Sequence, residues 1–297
     1  MKQLFKIISA LIIIFAVFVS FDYLFGISVS HLFKGKSKQE YIMNEKIDNQ
    51  IVIFGSSRAN HHYDTPYLSD SIGIKSFNAG EDGRGLTYQL PLIKNYLEKN
   101  TPKIIVLEVF GTLSGDWNDR LSLLYPYVDD YPYIIEVASK MDSNNKYYLK
   151  SKLFQNNSNL IPRIKNYIRP FQSSASNGFD PLPIEPRNSF LTIKEDSDPV
   201  KENIIEKEVL KEILSICKDK NITVVGVISP FYNSGNRQIT SDSLFREYGY
   251  HFIDNSRFRL NTSPENYFKD ESHMNEYGAR EYTKYFYRQL NDSLKLI

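Results

Sequence analysis

At 297 residues, with 36 Lys and Arg against 35 Asp and Glu, the chain is long enough for one large α/β domain or two modest ones, and its formal charge is only +1. So even a balance supplies no global field to recruit nucleic acid or an acidic polymer, and any anionic ligand must be met by local groups. One cysteine excludes an internal disulfide; Cys217, inside the amphipathic LKEILSICKDK, reads as a small buried hydrophobe.

The chain opens on an apolar stretch. Residues 7–21, IISALIIIFAVFVSF, continue past Asp22 through YLFGI to Ile27, roughly the 20 residues a bilayer demands. The reading is an uncleaved membrane anchor over 1–27; a cleaved signal peptide is the alternative, but SFDYLFG is too bulky for a small-x-small cleavage site. Lys2 and Lys6 precede the helix, and Lys34, Lys36 and Lys38 follow it, so flanking charge does not choose an orientation. Residues 28–49 are polar and charged, and read as a juxtamembrane linker.

Five apolar runs then read as strands: 51–54 (IVIF), 74–78 (IKSFN), 103–109 (KIIVLEV), 222–228 (ITVVGVI) and 250–254 (YHFID). Helical patterns separate them, notably over 86–99, 200–219 and 275–295. Continuous apolar strands alternating with amphipathic helices predict a parallel α/β sheet covered on both faces. Ligands collect at the carboxyl ends of such strands. Residues 113–199 interrupt the alternation with aromatic clusters and a Pro/Ser/Asn-rich reach, and read as an insertion bordering the site.

The first strand ends in Gly55-Ser56-Ser57. A glycine and two hydroxyls suit an ordinary turn. They also suit a strand-to-helix turn that lifts a serine hydroxyl toward a site. Near the other end, Asp270-Glu271-Ser272-His273 precedes a Tyr/Phe-striped helix. An acid three residues before a histidine can fix the ring's tautomer and stabilise its cation, giving Ser57 as nucleophile, His273 as base and Asp270 as orienting group. Taken alone, this Asp-x-x-His is weak, because Asp270 or Ser272 could simply cap the last helix.

The order of three blocks adds more. Gly55-Ser56-Ser57 after the first strand, Asn78-Ala79-Gly80 after the second and Asp270-x-x-His273-x-Asn275-x-x-Gly278 before the final helix resemble the SGNH (GDSL-like) hydrolase family. With GSSR in place of GDS and an N-terminal anchor, the chain looks most like its envelope branch, which includes DltD-like and AlgX-related acetylation proteins. The resemblance covers roughly 50–110 and 220–290. It implies a three-layer α/β/α flavodoxin-like fold over 50–297, with serine, aspartate and histidine in the roles just given. It also implies an oxyanion hole built from the backbone amides of Ser57 and Gly80. The family's third donor, an asparagine after the third strand, is missing from Glu108-Val109-Phe110-Gly111-Thr112, and Asn118 is a displaced candidate.

The implied activity is that of a serine esterase or O-acyltransferase acting outside the cytoplasm on an acylated glycan or related envelope polymer. The lipid bilayer is then a partner through the N-terminal helix, a membrane acyltransferase is a further candidate partner, and no metal or organic cofactor or nucleic acid is implied. The alternative is a catalytically weak or inactive envelope binding or assembly protein that keeps the fold. Arg58, beside the nucleophile, suits either a substrate carboxylate or phosphate or a salt bridge to a local acid. Trp117, Tyr125, Tyr127, Tyr131 and Tyr133 suit either sugar stacking or lid packing. His61 and His62 are adjacent rather than at helical ligand spacing, which disfavours a metal site. Glu81 and Asp82 read as part of a solvated turn.

Overall fold

The computed structural model describes residues 1–109, 121–157, 159–185, 203–232 and 241–294. In chain order the helices and strands are α1 (Lys2–Phe33), α2 (Lys38–Asn44), β1 (Ile51–Phe54), α3 (Ser57–His62), α4 (Thr65–Ile72), β2 (Ser76–Asn78), α5 (Leu86–Lys99) and β3 (Ile104–Glu108). Then come α6 (Tyr133–Met141), α7 (Asn145–Tyr148), α8 (Lys152–Asn157), α9 (Leu160–Ile168) and α10 (Ser173–Ser176). The last are α11 (Ile204–Asp219), β4 (Thr223–Ile228), α12 (Asp242–Glu247), β5 (His251–Asp254) and α13 (Glu276–Leu294). The chain divides into two compact units, one of Met1–Tyr41 with Leu121–Phe171 and the other of Ile42–Arg120 with Gln172–Ile297.

The second unit is built on a five-stranded, wholly parallel sheet of order β2-β1-β3-β4-β5. All five strands fall on the apolar runs, and α5 falls on its predicted span. The strand order reverses between β1 and β3, and in open parallel sheets that switch point, at the carboxyl ends, is where ligands sit. Strand side chains alternate across the sheet. Ile51, Ile53, Ile104, Val106, Val225 and Val227 face a core shared with Leu68 of α4 and with Ala279, Tyr282 and Phe286 of α13. The opposite side carries α5, where Tyr96 meets Phe54 edge-on at 5.8 Å. Burial on both faces is why these strands read as continuous apolar runs rather than alternating ones.

The sequence reading did not mark α3 and α4, nor the short α10 and α12. The six residues of α3, SRANHH, contain one aliphatic side chain, so no apolar period marks them. In α4 the signals are local: Asp64 accepts the Tyr67 amide, a proline stands in the first turn, and Gly73 closes the helix in the left-handed region.

In the first unit, α1 runs to Phe33, past the expected anchor boundary at 27, because SVSHLF continues the helix instead of opening a linker. Its apolar window is long enough to cross a membrane and is wholly uncovered by the rest of the chain. The larger difference is that 121–171, part of the predicted insertion, forms a compact unit together with α1. The aromatics of this segment pack locally: Tyr125 stacks on Phe154, and the Tyr127 hydroxyl meets Ser37 Oγ at 3.1 Å.

Candidate active site

The GSS turn is a strand-to-helix turn at the switch point. Gly55 has φ +150°, and a Cβ there would sit 2.8 Å from both the Glu108 carbonyl oxygen and its Cβ, so only glycine fits. Its carbonyl accepts from Gln89 Nε2 at 2.8 Å and from the Glu81 amide at 3.1 Å, which pins the turn to α5 and to the loop after β2. Ser56 is the N-cap residue and Ser57 opens α3, half-buried.

Ser57 Oγ lies 2.7 Å from His273 Nε2. The other ring nitrogen, Nδ1, donates to Asp270 at 2.9 Å (Oδ1) and 3.0 Å (Oδ2). The same carboxylate accepts the amides of Ser272 and His273 at 2.9 and 3.0 Å, so the Asp-x-x-His spacing closes a tight loop around its own acid. Burial alone would raise the Asp270 carboxyl, but the hydrogen bonds from the His273 ring and the Ser272 amide outweigh it and hold the group at about 2. Asp270 is therefore a carboxylate at neutral pH. It leaves Nε2 as the acceptor facing the serine hydroxyl, the arrangement a general base needs. Just beyond, Asn275 Oδ1 accepts the Gly278 amide at 2.9 Å and starts α13.

Beneath the serine lies a buried polar cluster. Arg58 is 1% exposed; its guanidinium pairs with Glu108 at 3.2 Å, donates to Ser229, and covers the Phe231 ring at 3.5 Å. Glu108, at the end of β3, also accepts the Tyr63 hydroxyl, the Ser229 amide (3.0 Å) and the Ser229 hydroxyl (2.9 Å). Burial pushes the Glu108 carboxyl up against the pull of Arg58. Each of these contacts is a donor that favours the carboxylate against burial. Arg58 is thus a salt-bridge residue and not a substrate-binding one, because its charge is already neutralised out of solvent.

His62 joins this cluster to the catalytic loop. Its Nε2 accepts the Met274 amide at 3.0 Å, so Nδ1 carries the hydrogen toward Ser229 Oγ at 2.7 Å. Complete burial, with the Arg58 charge nearby, pushes its pKa well below the usual histidine value. The neutral ring fixes the backbone of Met274, the residue after His273.

His61 has the opposite state. Its Nδ1 faces the Asp180 carbonyl oxygen at 2.6 Å and its Nε2 faces Asp82 Oδ1 at 3.0 Å. Both partners only accept, so both nitrogens donate and the ring is a cation. Burial works against this, but the hydrogen bond and charge of Asp82 win and raise its pKa. Asp82 itself is held at about 2, burial being outweighed by His61. The His61 ring stands edge-on to His273, centroids 5.6 Å apart. Asp82 thus stands in the solvated turn expected of it, its side chain 58% exposed, and from there also pairs with His61.

The Asn78-Ala79-Gly80 block does different work from that expected. Asn78 Nδ2 donates to the carbonyls of Ala59 (2.6 Å) and Tyr63 (3.2 Å), clamping the end of α3. Its Oδ1 accepts the Gly80 amide at 2.9 Å. The Gly80 N–H is thereby committed and is not an oxyanion donor. Gly80 is small because a Cβ would meet the Asn60 amide nitrogen at 2.4 Å. The Ser57 amide, at the first position of α3, takes no partner among the described residues. Trp117 and Asn118 lie outside the described residues. Cys217 is buried, its thiol pushed up to about 12 by burial.

The hydrogen-bonded trio of Ser57, His273 and Asp270 was legible, but His61, His62, Asp82, Glu108 and Ser229 were not assigned to the site. One signal was available: 57 and 61, like 58 and 62, are four apart on α3 and share a face. No protein-family model matches the chain, and no curated protein matches it significantly.

Proposed function

We propose that the protein is a serine hydrolase or O-acyltransferase of SGNH type, with a three-layer α/β/α second unit. The observation that carries this reading is the unbroken hydrogen-bond line from Ser57 through His273 to Asp270 at the carboxyl ends of β1 and β3. Ser57 Oγ attacks an ester carbonyl while His273 Nε2 takes its proton, and Asp270 stabilises the resulting imidazolium. The Ser57 amide meets the oxyanion. His273 then returns the proton to the departing alkoxide, leaving an acyl group on Ser57. Water resolves this acyl-enzyme in hydrolysis; a sugar hydroxyl does so in transfer.

The particular role proposed is modification of a cell-envelope polysaccharide or related polymer outside the cytoplasm, with α1 as the membrane anchor. The long apolar helix supports the location. A second reading, an envelope binding protein without turnover, draws on one observation, the commitment of the Gly80 amide to Asn78. The test incubates full-length protein in detergent with p-nitrophenyl acetate, alongside Ser57→Ala and His273→Ala. Turnover present in wild type and lost in both variants supports the enzyme. Absence of both turnover and acetyl-Ser57, read by intact mass with p-nitrophenyl acetate and with an acetylated oligosaccharide, favours the binding role.

A further inference from the structure

The unit that contains α1 is turned inside out along one helix. In α9, Arg163 points inward: it donates to Asn156 Oδ1 at 2.5 Å and its guanidinium lies 5.1 Å from the Phe33 ring of α1. The outward face carries Leu160, Ile161, Ile164 and Ile168, with Ile161 81% and Ile168 71% exposed. A surface helix of a soluble domain shows the reverse pattern. Exposed apolar side chains on this scale mark a surface with a partner.

Three observations identify that partner. First, the face is continuous with α1: Phe25 of α1 lines one groove with Leu153, Phe154 and Leu160. Second, depth follows from α1 itself. Lys6 is the last charge before the apolar run, and a span of about 20 residues counted from there ends near Gly26. Asp22 falls inside that span, and its carboxylate is satisfied by protein groups: the Ser151 hydroxyl (2.8 Å) and the amides of Lys152 (2.9 Å) and Leu153 (2.7 Å). The start of α8 therefore reaches the depth of Asp22. Third, charge is segregated. This unit holds 12 Lys and Arg against 6 Asp and Glu, while the other unit holds 24 against 29. Exposed Tyr147 and Tyr148 stand beside α8, with Lys146 4.9 Å from the Tyr147 ring, a pairing suited to a headgroup layer.

We infer that the apolar face of α9, with Phe25 and the tyrosines of α7, is seated in the bilayer leaflet that α1 enters, its lysines and arginines meeting anionic headgroups. The first unit thus meets the membrane through α9 as well as through α1. This rests on the reading of α1 as a membrane span.

The test uses full-length protein in nanodiscs with anionic lipid. Cys217, buried with its thiol pushed up, stays unlabelled in the folded chain. Ile164→Cys, Ile168→Cys and, within α1, Phe18→Cys each receive an environment-sensitive fluorophore, and lipids spin-labelled either near the headgroup or deep in the acyl chain serve as quenchers. The expected result is blue-shifted emission at 164 and 168 quenched by the shallow label, beside quenching at 18 by the deep one, the former weakened when anionic lipid is omitted. Water-like, unquenched emission at 164 and 168 while 18 is quenched overturns the inference. So does blue-shifted emission that lipid labels do not quench, which marks a second copy or a protein partner. Absence of quenching at 18 as well overturns the membrane span itself.

Discussion

One short helix, α3, serves two regions of opposite character. Ser57 and His61, four residues apart, face the half-open site; Arg58 and His62, also four apart, face the buried cluster beneath it. In the open region the Ser57 hydroxyl and His273 Nε2 face one another at 2.7 Å. In the buried one every proton is committed: Glu108 is held by donors, Ser229 donates to it, and His62 is locked neutral. The contrast extends to the three histidines: complete burial and the Arg58 charge hold His62 neutral, whereas Asp82 outweighs burial at His61 and raises its pKa. His273, between a carboxylate and a serine, is the one whose proton can move. Burial acts on both rings of α3, and a carboxylate partner is what His61 has and His62 lacks.

Substitutions that separate the two regions sharpen this contrast. In the open region, Asp270→Asn leaves the fold intact but favours the wrong tautomer of His273; ester turnover should fall by about ten-thousand-fold, about 5 kcal/mol of transition-state stabilisation. The check is kcat/KM beside an unchanged melting temperature. In the buried region, Arg58→Met strands Glu108 without its counter-charge and should cost about 3–5 kcal/mol of stability by denaturant unfolding. A variant that unfolds at the wild-type midpoint would contradict the cluster as described.

Asn78→Ala removes the clamp on α3 and leaves the buried Ala59 and Tyr63 carbonyls without it, an expected loss of about 1–3 kcal/mol. Because that clamp sets the position of Ser57, kcat should fall with it. The smallest effect is a pH signature. His61 has a raised pKa, so its contribution is full below the unfolded value of 6.5 and is lost as pH rises through the folded one. Asp82 has a lowered pKa, so its contribution is present above 3.8 and is lost as pH falls toward about 2. Asp82→Asn should therefore lower the melting temperature most between about pH 4 and 6.5, with the gap narrowing on either side. A gap independent of pH would contradict the ion pair.

The strands, α5, α11 and α13 could be read from the chain because sheet burial and helical amphipathicity leave periodic apolar patterns. The trio Ser57, Asp270 and His273 could be read because each stands at the edge of such an element. The polar cluster could not: Arg58, Glu108 and Ser229 lie far apart in sequence, and their pairing exists only once β1, β3 and β4 are neighbours. The oxyanion assignment failed at Gly80 because no pattern reveals that the Asn78 side chain turns back on its amide. The first unit was obscured because Asp22, given no role when the apolar run was read past it, is the residue that caps α8.

The central claim is that Ser57 is an activated nucleophile. Full-length protein treated with a fluorophosphonate and mapped by peptide mass tests it most directly. The account predicts a single adduct on Ser57, formed rapidly in wild type, absent in Ser57→Ala and slowed by orders of magnitude in His273→Ala. Wild type that stays unmodified, or labels no faster than His273→Ala, would contradict it.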